Sequence, residues 1–65
     1  MNLVPDGKRR LWNVQDLAEF LDVPVATIYK WRTSGEGPHG FRVGRYLRFR
    51  ESDVLEWLET RRDPA

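Results

Sequence analysis

The side chains of this sequence that could form a binding site are mostly basic, and they are concentrated in its middle. Residues 23–50 contain six lysines and arginines against one acidic residue, Glu36. The basic residues are Lys30, Arg32, Arg42, Arg45, Arg48 and Arg50. Guanidinium and ammonium groups bind phosphates through charge-assisted hydrogen bonds. The middle of the chain therefore predicts a surface that binds a polyanion.

Both flanking segments are acidic. Residues 13–22 and residues 51–65 each carry a net charge of −3, whereas the whole chain carries +1. A distribution polarised in this way suits a protein that turns one face toward a polyanion and keeps its other faces from adhering to it.

Catalytic and metal-binding chemistry is not predicted. The single histidine, His39, lies in a loop rich in glycine and proline without a partner at a recognisable spacing, and the chain has no cysteine. The carboxylates fall at exposed helical positions and in first helical turns, where they cap helices and interact with the helix dipole. We therefore expect a protein that is not an enzyme and needs no metal or other cofactor.

Residues 23–35 are predicted to form a short turn and then a helix with one polar face. On a helical wheel, Pro24, Ile28 and Trp31 share an apolar sector that faces the core. The opposite side is small, polar and cationic, and consists of Ala26, Tyr29, Lys30 and Thr33. Gly35 is expected to end the helix, because glycine readily adopts the left-handed conformation of a C-terminal cap.

Another helix is predicted before this turn. Asn13 is a good N-cap, and the carboxylate of Asp16 completes a capping box. Apolar residues then recur at helical spacing: Val14, Leu17, Ala18 and Leu21. Because only Asp22-Val23-Pro24 separates the two helices, they must cross steeply, which is the helix-turn-helix arrangement.

A two-stranded hairpin is predicted after a loop over residues 36–40. Apolar and basic residues alternate over 41–43 and again over 46–49, with Gly44-Arg45 as a tight turn between them. The inner face of the hairpin is expected to hold Phe41, Val43, Leu47 and Phe49. Arg42, Arg45 and Arg48 are expected to lie outside, at and around the tip.

A last helix is predicted from Glu51 to about Arg62, with Asp63-Pro64 stopping it. Its expected apolar stripe consists of Val54, Leu55, Trp57 and Leu58. We thus expect one domain over residues 11–62, a flexible basic arm over 1–10 and a tail over 63–65. The predicted fold is mostly α with a small β-hairpin: helix, turn, recognition helix, two-stranded wing and C-terminal helix.

This order of elements favours binding to double-stranded DNA. The second helix of a helix-turn-helix enters the major groove, and an arginine-tipped hairpin beside it reaches neighbouring phosphates or a narrow minor groove. In the alternative interpretation, the arginines are solvated charges that protect strand edges from aggregation. A further alternative is a protein-interaction module that uses the acidic helices.

The order of elements and three motifs resemble the excisionase-type winged helices. The motifs are Thr27-Ile28-Tyr29-Lys30-Trp31, Val43-Gly44-Arg45-Tyr46-Leu47-Arg48-Phe49 and Glu51-Ser52-Asp53-Val54. Excisionases are the recombination directionality factors of phages and integrative elements, and they are related to the DNA-binding domain of MerR-type regulators. The resemblance covers residues 11–60.

The resemblance implies that several head-to-tail copies bind and bend attachment-site DNA and direct an integrase toward excision. It implies contacts from Ala26, Thr27, Tyr29, Lys30 and Thr33 in the recognition helix and from Arg42, Arg45 and Arg48 in the wing. Arg32, Lys8, Arg9 and Arg10 are further candidates for phosphate contacts. With Lys30 as the one strong donor facing the groove, we expect modest specificity per copy and salt-sensitive binding.

A small transcriptional regulator of the MerR-like type is the nearest alternative, since it would share the same scaffold. We expect a soluble protein in the cytoplasm of a bacterial host, bound to DNA and not to a membrane. The reason is that the sequence has neither an apolar run of about 18 residues nor the apolar core of a signal peptide.

Overall fold

The computed structural model describes residues 10–64, which form three helices and one antiparallel hairpin. The helices are α1 (Val14–Leu21), α2 (Val25–Ser34) and α3 (Glu51–Glu59), and the strands are β1 (Gly40–Val43) and β2 (Tyr46–Phe49). This is the predicted winged helix-turn-helix architecture. No helix within residues 10–64 is long and apolar enough to cross a membrane.

The start of α1 is the predicted capping box. The Asn13 side chain accepts a hydrogen bond from the Asp16 amide at 2.7 Å, and the Asp16 carboxylate accepts one from the Asn13 amide at 3.0 Å. The helix ends at Leu21, and its C-cap Asp22 adopts the left-handed conformation with φ 59°. The three residues Asp22-Val23-Pro24 lead into α2, as predicted, and Gly35 closes α2 with φ 79°.

The core draws one fully buried large side chain from each helix and from one strand. Leu17 of α1, Ile28 of α2, Phe49 of β2 and Val54 of α3 are at most 1% exposed. Strand β1 contributes no buried residue, so β2 is the strand that docks the hairpin onto the helices.

The hairpin register corrects the predicted inner face. Residues directly opposite each other share a face, and the pairs are Gly40–Phe49, Phe41–Arg48, Arg42–Leu47 and Val43–Tyr46. Leu47 and Phe49 are buried as predicted, but Phe41 and Val43 lie on the outer face and are 40% and 50% exposed. The two-residue turn sets this parity, because it places Val43 opposite Tyr46 and therefore Arg42 opposite Leu47.

A short bridge anchors β2 on its other edge. The amide of Trp12 donates to the carbonyl of Phe49 at 2.7 Å, and the amide of Phe49 donates to the carbonyl of Trp12 at 2.8 Å. Since Trp12 lies two residues before α1, this bridge holds the start of α1 beside the wing.

Three further predictions at helix ends and faces are wrong. Pro24 is exposed because it is the extended N-cap of α2 and so lies outside the helical wheel. Leu55 is 45% exposed, because α3 turns its neighbour Val54 into the core and Leu55 lies about 100° further around the helix. Helix α3 ends at Glu59, not near Arg62, because the amide and hydroxyl of Thr60 both bond to the Trp57 carbonyl and close the last turn.

Candidate nucleic-acid interface

The outer face of α2 is polar and accessible along its whole length. Ile28 points into the core, which turns the opposite side of the helix to solvent. Ala26, Tyr29, Lys30 and Thr33 are exposed there, and Thr27 is half-buried. This matches the placement that the sequence predicts for the recognition helix.

The wing tip carries two exposed arginines. Gly44 has φ 62° and is the only residue of the Gly44-Arg45 turn with a positive φ, which is the pattern of a type II′ turn. Arg45 follows it at the tip. The prediction that Arg42 lies on the outer face is wrong, because the register puts it opposite Leu47 on the helix-facing side of the hairpin, but its side chain is exposed.

These two regions border one open cleft of about 370 Å³ between α1, α2 and the wing. From α2 it takes Val25 and Tyr29, and from the wing Arg42, Arg45, Tyr46, Leu47 and Arg48. Asn13, Val14 and Gln15 of α1 complete the lining. The structure thus brings Tyr29 and all three predicted wing arginines to a single site.

The cleft also includes polar residues that the sequence does not predict as part of the binding surface. Asn13 and Gln15 reach it because the bridge between Trp12 and Phe49 draws the start of α1 to the wing. No sequence pattern signals that bridge. Tyr46 could have been found, since it is an aromatic residue next to a turn and between two arginines.

Arg48 differs from the other two wing arginines. It is half-buried, its guanidinium lies 5.1 Å from the ring centre of Tyr46, and its Nη1 donates to the Leu47 carbonyl at 2.9 Å. The register places Arg48 on the outer face of the hairpin, as predicted, and its contact with Tyr46, the residue next to the turn, directs its side chain along β2 toward the tip.

The remaining candidate residues do not line the cleft. Lys30 and Thr33 lie farther along α2, and the Thr33 hydroxyl donates to the Lys30 carbonyl at 2.7 Å. Arg32 lies beside Gly40, at the other end of the hairpin from the turn. Arg10 lines a separate groove with Trp12, Asp16, Glu19 and Phe20. Lys8 and Arg9 lie outside the described residues.

Four exposed basic side chains of α2 and the wing have no acidic partner in the part of the chain that the structure describes. Lys30, Arg32, Arg42 and Arg45 make no salt bridge to any residue between 10 and 64. Over the same range, no group of histidines and carboxylates is placed to hold a metal ion. The site offers guanidinium, ammonium, phenol and amide groups, which are the side chains that contact phosphates, sugars and base edges.

The family model of the helix-turn-helix domain matches residues 13–62, so the chain belongs to this family. No curated protein and no solved structure matches the chain. Family membership and the cleft together give the protein a DNA-binding role.

Proposed function

We propose that this helix-turn-helix protein is an excisionase, which binds and bends attachment-site DNA and directs an integrase toward excision. Its family includes excisionase-like small DNA-binding proteins. The observation that carries the proposal is the shared cleft, where Tyr29 of the recognition helix meets the exposed arginines of the wing.

The two parts of this surface suit two parts of the DNA. Helix α2 enters the major groove, where Lys30 donates to acceptors on base edges and Ala26 permits close approach or contacts a thymine methyl. Arg42 and Arg45 bind the adjacent backbone or enter the minor groove. A surface of this kind binds mostly through phosphates, so its affinity falls steeply with salt.

Assembly compensates for the sparse base contacts of one copy. Several copies bound head-to-tail on neighbouring sites bend the DNA and gain avidity, because each added copy binds at a high effective concentration. Strand cleavage and exchange then belong to the integrase, and the present protein contributes architecture without catalysis or a cofactor.

A mobility-shift titration tests the proposal. The purified protein is titrated onto attachment-site DNA of its element and onto a promoter fragment of equal length, each at two salt concentrations. We expect stepwise, cooperative, salt-sensitive complexes on the attachment site, followed by stimulated excision when the integrase is added.

Two outcomes would redirect the proposal. Preference for the promoter fragment, with no effect on excision, would identify a transcriptional regulator. Absence of binding to either fragment would favour a protein-interaction module that uses the acidic surfaces of α1 and α3. In that case Arg45→Ala would leave the activity intact.

A further inference from the structure

We propose that Tyr46 is a DNA-contacting residue of the wing, and that Arg48 acts by holding the Tyr46 ring in place beside the turn instead of binding a phosphate itself. This inference rests on DNA binding through the cleft. It does not depend on whether the natural target is an attachment site or a promoter.

The position of Tyr46 is that of a contact residue and not of a core residue. It follows the turn directly, pairs with Val43 on the outer face of the hairpin, and is 56% exposed. Its neighbour Leu47 is 7% exposed and supplies the packing at that point of β2. Tyr46 nevertheless lines the cleft, together with Tyr29 and Arg45.

The contacts of Arg48 restrict both Arg48 and Tyr46. The guanidinium stacks over the Tyr46 ring at 5.1 Å, and it also donates a hydrogen bond to the Leu47 carbonyl at 2.9 Å. Ordering the ring before DNA arrives reduces the entropy lost on binding. Arg45, by contrast, makes no salt bridge within residues 10–64 and can turn toward a phosphate.

A tyrosine suits this place chemically. Its ring packs against a deoxyribose or a base, and its hydroxyl donates to a phosphate oxygen, so it adds affinity without adding charge. Removal of Tyr46 should therefore weaken binding at every salt concentration to the same extent. Removal of a charged residue that binds a phosphate should also make the salt dependence shallower, by about 0.9 in the slope of log K against log salt.

Fluorescence anisotropy with a short labelled duplex, repeated over a range of salt concentrations, measures both quantities. The variants are Tyr46→Ala, Tyr46→Phe, Arg48→Gln and the double variant Tyr46→Ala/Arg48→Gln. Arg45→Gln is the control that shows the effect of losing a phosphate contact. Circular dichroism melting shows whether each variant is folded, and Tyr46→Phe provides a conservative replacement that keeps the ring and the Arg48 stack.

We expect Tyr46→Ala to weaken binding about tenfold with an unchanged salt slope, since replacing a stacked aromatic ring by alanine typically costs about that much. Tyr46→Phe should retain most of the affinity. Arg48→Gln should weaken binding with little change in slope, and it should add little in the Tyr46→Ala background, because the effects of coupled residues are not additive.

Other results would overturn the inference. Unchanged affinity in folded Tyr46→Ala would show that the ring does not contact DNA. Arg48 would be identified as a phosphate-binding residue by two results together. Arg48→Gln would lower the salt slope of binding as much as Arg45→Gln does, and its effect on affinity would add fully to that of Tyr46→Ala. If the wild-type protein bound no duplex, the DNA-binding role would fail first, and this inference with it.

Discussion

The basic residues of α2 and the wing differ from those flanking α3 in how their charge is used. Arg50 pairs with Asp53 at 3.1 Å, and Arg62 pairs with Glu59 at 2.7 Å. Lys30, Arg42 and Arg45 make no such pair within residues 10–64. A cation that is paired with a carboxylate of its own helix attracts an external anion less strongly, whereas an unpaired cation is free to bind one.

This difference shows why a net charge of +1 is a poor guide to binding. The acidic residues offset the basic ones in the total, but they lie on other elements and leave the wing and the recognition helix unneutralised. An interface for a polyanion is thus defined by where counterions are missing and not by overall charge.

The largest expected effect is on the stability of the fold that holds the unpaired cations in place. Phe49 is fully buried and bonded to Trp12, so Phe49→Ala should destabilise the fold by about 3–5 kcal/mol through reduced burial and a cavity. Urea denaturation measures this change. Phe41→Ala is the matched control, because Phe41 is 40% exposed on the outer face, and it should cost under about 1.5 kcal/mol. Equal destabilisation in the two variants would contradict the register described above.

The next effect compares the two groups of cations directly. The double variant Arg42→Ala/Arg45→Ala should bind DNA about a hundredfold more weakly, at about 1.5 kcal/mol or more for each charge-assisted hydrogen bond removed. Its salt slope should fall by about 1.8, because two phosphate contacts are removed. Arg62→Ala removes a paired cation, and comparable weakening in that control would refute the distinction between paired and unpaired cations.

A smaller effect separates the recognition helix from the wing. Lys30→Ala should reduce the preference for a specific site over unrelated DNA by about tenfold, as one base contact typically contributes about 1–3 kcal/mol of discrimination. Competition binding with both DNAs provides the measurement. Uniformly weaker binding with unchanged preference would assign Lys30 to a phosphate instead.

The smallest effect concerns the paired cations themselves. Asp53→Asn breaks the pair with Arg50, whose side chain is 58% exposed, and the cost to stability should stay under about 1 kcal/mol. DNA affinity should not fall. A gain in affinity would show that Arg50, once released, also reaches the phosphate backbone, and it would extend the interface toward α3.

Sequence patterns predicted the elements well, because the signals for them are local. The capping box at Asn13, the three-residue connection before α2 and the glycine that closes it all depend on neighbours in the chain. The exposed face of α2 follows in the same way from the position of Ile28. Residue types and helical periodicity were therefore enough to place the candidate side chains on that face.

The hairpin was harder, because alternation alone does not say which alternate set faces inward. Phe41 and Val43 have apolar side chains that fit an inner face, but the two-residue turn assigns that face to Arg42 and Leu47. The same parity brings Arg42 into the cleft beside Tyr29.

Local spacing along the chain was enough to predict the order of the helices and strands, the polar face of α2 and the concentration of basic residues around the wing. Which of those residues share a site depends on how the elements pack in three dimensions. The bridge between Trp12 and Phe49 brings the start of α1 to the cleft, and the packing of β2 on the helices places the wing arginines beside Tyr29. Both depend on how separate segments pack, which spacing along the chain does not encode.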